Sequence, residues 1–189
     1  MAVQRGIDKW KTKRWFTVYA PKIFNEEKIC EMPAADEKAA MNRKIKVSLD
    51  QLTHNPQHAA SNVVLKIVDV NGDAAHTRLV MIEQVYSYIR SLVRRYRSVA
   101  SAVIPISSKD NVKMTVKIIA ITRERVTTSR LKAIRKSLFD FITSYSKEND
   151  SAAIVSSLID GSLQAGVGAK VSNITPINKI EIRKLEIAS

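Results

Sequence analysis

Three histidines and one cysteine are the imidazole and thiol ligands this chain could offer a metal, and their spacing assembles no metal site. His54 and His58 stand at i, i+4, the spacing that puts two imidazoles on one helix face, but Pro56 between them breaks such a helix. These two and His76 are expected as surface loop residues, and no metal is expected. Cys30 has no motif around it and reads as a buried small hydrophobe; a lone cysteine makes neither an intrachain disulfide nor a Cys-rich zinc site. Gly161, Gly166 and Gly168 precede no Gly-Lys-Ser/Thr and fit neither phosphate-binding nor dinucleotide spacing, so they are expected as helix-end glycines. Carboxylates are sparse and none pair as an acid/base couple. No catalytic residue, cofactor or small-molecule substrate is expected.

The cations carry the other kind of chemistry. In RSLVRRYRS, Arg90, Arg94, Arg95 and Arg97 fall within eight residues, and no acidic residue occurs between Glu83 and Asp110 to pair with them. A guanidinium is a planar fork that matches phosphate oxygens, so this density suits a polynucleotide backbone. On a helix over 83–97, Arg90, Arg94 and Arg97 share one face with Arg95 beside it. Val85, Ile89, Leu92, Val93 and Tyr96 form the apolar stripe elsewhere. In RERVTTSRLKAIRK, Arg123, Arg125, Arg130, Lys132, Arg135 and Lys136 surround the start of a second helix, and Glu124 is the one nearby acid. Thr127, Thr128 and Ser129 are its candidate caps, where free backbone N–H groups face an anion. At the N-terminus, Arg5, Lys9, Lys11, Lys13 and Arg14 interleave with Trp10, Trp15, Phe16 and Tyr19. Aromatics among cations stack on unpaired bases while the cations hold phosphates. Trp15, Phe16 and Tyr19 are expected to pack into the core as strand residues, and Trp10 to meet RNA or a neighbouring protein.

The elements that position these side chains follow from periodicity. Short aromatic alternation predicts a strand over 15–19, and Ile45, Val47 and Leu49 alternate with polar residues in another. A hairpin is predicted with arms 63–70 and 75–81 around Asn71-Gly72, as a type I′ turn. A second has arms 99–107 and 112–121, where Met114, Val116, Ile118 and Ala120 face one way until Ile119 and Ile121 break the alternation. Leu131, Ile134, Leu138, Phe141, Ile142 and Tyr145 give the core face of a helix over 129–147. A third helix runs from 150 or 151 to about 164, and an extended segment covers 174–187. The expected fold is α+β: an antiparallel, barrel-like sheet built from hairpins, about three helices, a basic extended tail over 1–14 and a single domain over 15–189.

Composition agrees with the placement of charge. The chain has 189 residues, 45% apolar, enough for a core, with five glycines and five prolines. Its net charge of +13 is not spread evenly. Residues 1–22 carry +5 and residues 90–136 carry +11, while 23–89 and 137–189 are slightly negative. Two separated basic blocks are an electrostatic footprint for phosphate. No apolar stretch has signal-peptide or bilayer-spanning length, so a cytoplasmic protein is expected.

The segments KWKTKRWFTVYAP, KIVDVNGDAAHTRL, YIRSLVRRYRS, TTSRLKAIRK and INKIEIRKLE, in this order, resemble the eS1 family of archaeal and eukaryotic small-subunit ribosomal proteins. The likeness spans residues 9–186, and the length resembles the archaeal form. It implies a structural constituent of the small ribosomal subunit, on the platform near the mRNA exit and the 3′ end of the rRNA. The partners it implies are small-subunit rRNA and neighbouring ribosomal proteins, with mRNA near the exit within reach. The family has no catalytic residues. A free-standing RNA-binding or RNA-chaperone module is the rival reading. A nuclease needs a carboxylate cluster by the basic block, where only Asp110 and Glu124 stand. A membrane-surface protein needs an apolar helix face freed from core duty, which neither basic helix has.

Overall fold

The computed structural model describes residue 10 and residues 13–188. It is α+β and divides into two compact units. The first runs to Ala59 and takes in Val63–Leu79; the second comprises Ala60–Asn62 and everything from Val80 on.

In the first unit, β1 (Arg14–Tyr19) alternates as its sequence dictates: Phe16 and Val18 are buried while Trp15 stays 58% exposed. It pairs antiparallel with β2 (Lys28–Ala34), Phe16 opposite Met32, with an irregularity at Val18/Tyr19. Two short helices, α1 (Glu37–Ala40) and α2 (Leu49–Thr53), flank β3 (Lys44–Ser48), which pairs with β4 (Ser61–Asn71). Next in the chain comes β5 (Ala74–Gln84), which pairs with β4 and, in its first half, runs parallel to β1. Phe16, Val18, Ala34, Ala40, Ile67 and Ala75 form one buried cluster here, with Cys30, Met32, Ile45 and Val70 packed against it.

In the second unit, the end of β5 pairs antiparallel with β8 (Ile177–Ile187), which also pairs with β7 (Lys113–Thr122), and β7 with β6 (Val99–Ser107). One face of β7 buries Met114, Val116, Ile118 and Ala120. The break in alternation has a physical cause. Ile119 and Ile121 lie on the opposite face and cluster with Ile89, Tyr88, Leu92 and Val99, because α3 (Tyr86–Leu92) covers that face at this end. A long helix, α4 (Thr128–Glu148), buries Ile134, Leu138, Ile142 and Ser146 at i, i+4 spacing and packs on β6. After it, α5 (Ser151–Ile159) and α6 (Ser162–Ser172) form a pair bent by 78°, their apolar faces buried in this unit.

Several expectations need correction. The strand set is mixed, because β1 and β5 run parallel; the long stretch between them supplies the crossover such a pair needs. It is not a barrel: among the described residues β2, β3 and β6 each pair on one side only. Six α-helices, not about three, are present among those residues. The 71–72 turn has its centre one residue later, at Gly72-Asp73. Only Gly72 there has positive φ (60°), the glycine placement of a type II′ turn. The third helix breaks at Gly161 (φ 78°), and Gly166 and Gly168 lie inside α6 instead of ending a helix. Gly166 lets α6 approach α4, since a Cβ there sits 3.0 Å from Cζ of Phe141. Cys30 is half-buried, and partial burial raises its thiol pKa. His76 lies in β5, its ring 5.8 Å from that of Tyr19, rather than in a loop.

Candidate nucleic-acid interface

The largest revision concerns the first basic run. Its helix is only seven residues long and ends at Leu92, and Val93 turns extended. Arg94, Arg95 and Arg97 therefore share no helix face with Arg90. The cause is local. A longer helix would stack Arg90 and Arg94 at i, i+4, a like-charge pair, with no carboxylate alongside. The chain must also leave the helix to enter β6 at Val99. Tyr96 makes that bend in the left-handed region, φ 63°, and is 84% exposed.

Strand register then brings the two basic runs together. Val99 pairs with Ile121, so residues 94–98 and 122–126 emerge from the same end of the β6–β7 hairpin. Ser98 and Thr122 lock that end. Their backbones bond through Thr122 N–H to Ser98 O at 3.0 Å, the Ser98 N–H donates to Thr122 Oγ1 at 3.0 Å, and the Val126 N–H donates to Ser98 Oγ at 3.0 Å. Thr122 is fully buried despite its hydroxyl, which these bonds satisfy. The start of α4 follows directly. Thr127 precedes it without capping it by side chain, its hydroxyl lying 3.2 Å from that of Ser129. No acidic residue lies in its first turn, and the helix dipole leaves this end positive.

A buried carboxylate holds the other flank. Glu181, on β8 opposite Ile119, is only 9% exposed. It accepts from the Tyr88 hydroxyl at 2.9 Å and from Gln84 Nε2 at 3.0 Å, and pairs with Lys179 Nζ at 2.9 Å. Lys179 also bonds the Tyr88 hydroxyl, and that bond, with help from Glu181, raises its pKa. Tyr88 thus ties α3, and with it the start of the basic run, to β8. Beside it Tyr86 is 59% exposed, with the guanidinium carbons of Arg90 and Arg183 5.2 Å and 5.9 Å from its ring centre.

Among the described residues, Arg90, Arg94, Arg95, Arg97, Arg125, Arg130, Lys132, Arg135 and Lys136 make no ion pair; all are exposed save Arg97, which is half-buried. Arg123 is partly committed: its Nε donates to Ile177 O at 3.3 Å and its N–H to Pro176 O at 3.1 Å. In the first unit, Lys13 Nζ lies 4.2 Å from the Trp10 ring, and Arg14 lines a shallow pocket with Asp36, Glu37 and Lys38. Arg5, Lys9 and Lys11 lie outside the described residues. Of the three aromatic residues expected in the core, Phe16 is buried, Tyr19 half-buried and Trp15 exposed. Tyr86, Tyr96 and Arg183 escape sequence reasoning. Tyr96 fits the apolar stripe by spacing, and only strand pairing shows that Arg183 comes near α3.

Asp110, the acid beside the basic block, accepts from the N–H and hydroxyl of Ser151 at 3.1 and 3.3 Å and so caps α5. No group of three or more His, Cys, Asp or Glu able to hold a metal occurs among the described residues. No single helix among them is long and apolar enough to cross a membrane.

Comparison with known proteins gives a consistent result. The model of the ribosomal S3Ae family matches residues 1–189. Relatives named small ribosomal subunit protein eS1 include one from Sulfolobus acidocaldarius, 35% identical over 181 residues, covering 95% of this chain and 92% of the relative. That of Sulfurisphaera tokodaii is 33% identical over 180 residues, covering 95% and 93%. That of Pyrobaculum neutrophilum is 32% identical over 180 residues, covering 95% and 81%.

Proposed function

The chain belongs to the ribosomal S3Ae family, and from that premise we propose that it is a structural constituent of the small ribosomal subunit, not an enzyme, held to rRNA by the basic end of its β6–β7 hairpin. Cytoplasmic ribosomes are its place of work, on the subunit platform near the mRNA exit and the rRNA 3′ end. Its partners there are the rRNA and adjoining ribosomal proteins. The N-terminal cations Arg5, Lys9, Lys11, Lys13 and Arg14 add a second contact to RNA, with Trp10 among them.

The observation that carries this reading is the set of cations at one hairpin end and on the helices α3 and α4 that flank it, nine of them without a carboxylate partner among the described residues. Self-repulsion makes such a cluster unfavourable unless an anion meets it. Phosphates do so, and each one neutralised releases counterions. Replacing Arg90, Arg94, Arg95 and Arg97 together by Ala tests it. Incorporation into small subunits, read by sedimentation of extract, is expected to fall, while the melting temperature of the isolated chain does not fall, since like-charge repulsion is relieved. The salt slope of rRNA binding is expected to drop by up to about 3 to 4, at about 0.7 to 0.9 for each phosphate that an arginine no longer neutralises. Normal incorporation with an unchanged slope refutes the assignment. A wild-type chain absent from small-subunit fractions points to the free-standing RNA-binding module instead.

A further inference from the structure

Tyr96 is the most exposed large hydrophobic side chain of the described residues, and it stands between two arginines. Its ring and hydroxyl have no partner among those residues. Its backbone is left-handed, a conformation rare for a bulky residue, and such outliers concentrate where a ligand is gripped. The conformation is held two residues on, where Ser98 is locked by two hydrogen bonds to Thr122 and a third to Val126. The bend thus holds an aromatic ring outward on a fixed support, among Arg94, Arg95 and Arg97.

A folding explanation for this ring is lacking, since it buries almost nothing. A duplex explanation is also poor, because regular RNA helices offer phosphates and 2′-hydroxyls to a protein surface and keep base faces stacked inside. An aromatic face within a cationic rim matches an unstacked base whose flanking phosphates meet the guanidinium groups. We propose that Tyr96 is a stacking platform for an unpaired nucleobase, so that the basic end of the hairpin recognises RNA with a bulged or single-stranded nucleotide. The inference rests on the RNA-binding reading above and adds to it what kind of RNA is bound.

Fluorescence anisotropy of labelled RNA with the full chain tests this. Three probes serve: a twelve-nucleotide oligo(A), the same oligomer with abasic residues, and a twelve-base-pair RNA duplex. Tyr96→Leu is expected to weaken oligo(A) binding by about 5- to 100-fold. The abasic oligomer and the duplex should be unaffected, and the salt slope should not change. Tyr96→Phe keeps the ring and should bind oligo(A) like the parent. Because the ring is unsupported by neighbours, neither variant should alter the melting temperature, which serves as the folding control. Equal affinity of Tyr96→Leu and the parent for oligo(A), or equal weakening on all three probes, overturns the stacking assignment. Replacing Arg94, Arg95 and Arg97 by Ala separates the two levels of inference. If that variant weakens all three probes while Tyr96→Leu weakens none, phosphate binding stands and base stacking falls. If neither variant changes any probe, both fall, and an acidic protein neighbour becomes the occupant of this surface.

Discussion

Glu181 should control the stability of the second unit and, through it, the placement of cations that it never touches. Its carboxylate is buried on β8 and answers three donors: Tyr88, Gln84 and Lys179. Truncation to Ala strands them unequally. Lys179 has a side chain 44% exposed and rehydrates, so its share is about 1 kcal/mol or less. Tyr88 and Gln84 are half-buried, and the other end of Gln84, Oε1, already lacks a partner. A hydrogen bond to a charged group is worth about 1.5–3 kcal/mol. Two such bonds, not fully additive, put Glu181→Ala at about 3–4 kcal/mol of destabilisation. At about 2–4 °C per kcal/mol for a chain of this size, the melting temperature should fall by about 6–16 °C. Thermal melts followed by circular dichroism measure it. Glu181→Gln retains acceptor oxygen and should lose about half as much; Lys179→Ala should lose least. Hydrogen exchange at residues 86–97 should accelerate in Glu181→Ala, because α3 buries little besides Ile89 and depends on the tether. RNA affinity should fall as well, although no cation was removed. A Glu181→Ala melt within about 1 kcal/mol of the parent, with unchanged exchange in α3, refutes the reasoning.

Two other perturbations probe different parts of the second unit. Gly166→Val should destabilise by about 1–3 kcal/mol, since the new side chain meets the Phe141 ring; a chemical-denaturation series should show Phe141→Leu recovering part of that loss. Glu186 has its pKa lowered, chiefly by the hydrogen bond from Lys184 at 2.6 Å and then by Lys117 at 3.3 Å. Its folded-state value lies below its unfolded one, so its contribution is full above the ordinary value of 4.5 and fades as pH falls toward the lowered one. Melting temperatures of Glu186→Gln should therefore depend less on pH between about 5 and 2 than those of the parent; identical acid limbs count against the pairing.

Long, uninterrupted periodicities are legible in the sequence. The eleven-residue arms β4 and β5, the return strand β8 and the 21-residue α4 all lie where alternation or a 3.6-residue period places them. The break at Ile119 and Ile121 is visible too, and it means a second covered face. The rest depends on pairing information that periodicity does not hold. Nothing in RWFTVY says that its neighbour is β5 or that the two run parallel. The misplaced end of α3 has a specific source. Residues 83–97 carry apolar side chains at helical spacing, but Val93 and Tyr96 of that stripe are exposed, and a bend replaces the last turns. For the site, residue types are legible and proximity is not. The density of arginine and lysine in each run is a property of sequence, whereas their meeting at one hairpin end is a property of register.

That meeting bears on why the fold tolerates such a charge density. Residues 94–97 and 123–130 carry cations on either side of a point where the backbone is pinned by Ser98 and Thr122, both more than half-buried. Placing like charges together opposes folding, and more so as screening weakens. The opposing terms are local and strong: the β6–β7 pairing, the Ile89–Ile119–Ile121 cluster and the Glu181 tether. Rigidity has a use beyond stability. Cations on a mobile loop lose side-chain and backbone freedom when they bind, while cations on a pinned hairpin end have lost much of it already. A surface meant to seat on a folded RNA of fixed shape gains from that preorganisation. A surface meant to visit many RNAs transiently gains more from flexibility. The locked hairpin end is therefore what the proposed permanent, shape-matched RNA partner requires, and a chaperone-like role does not.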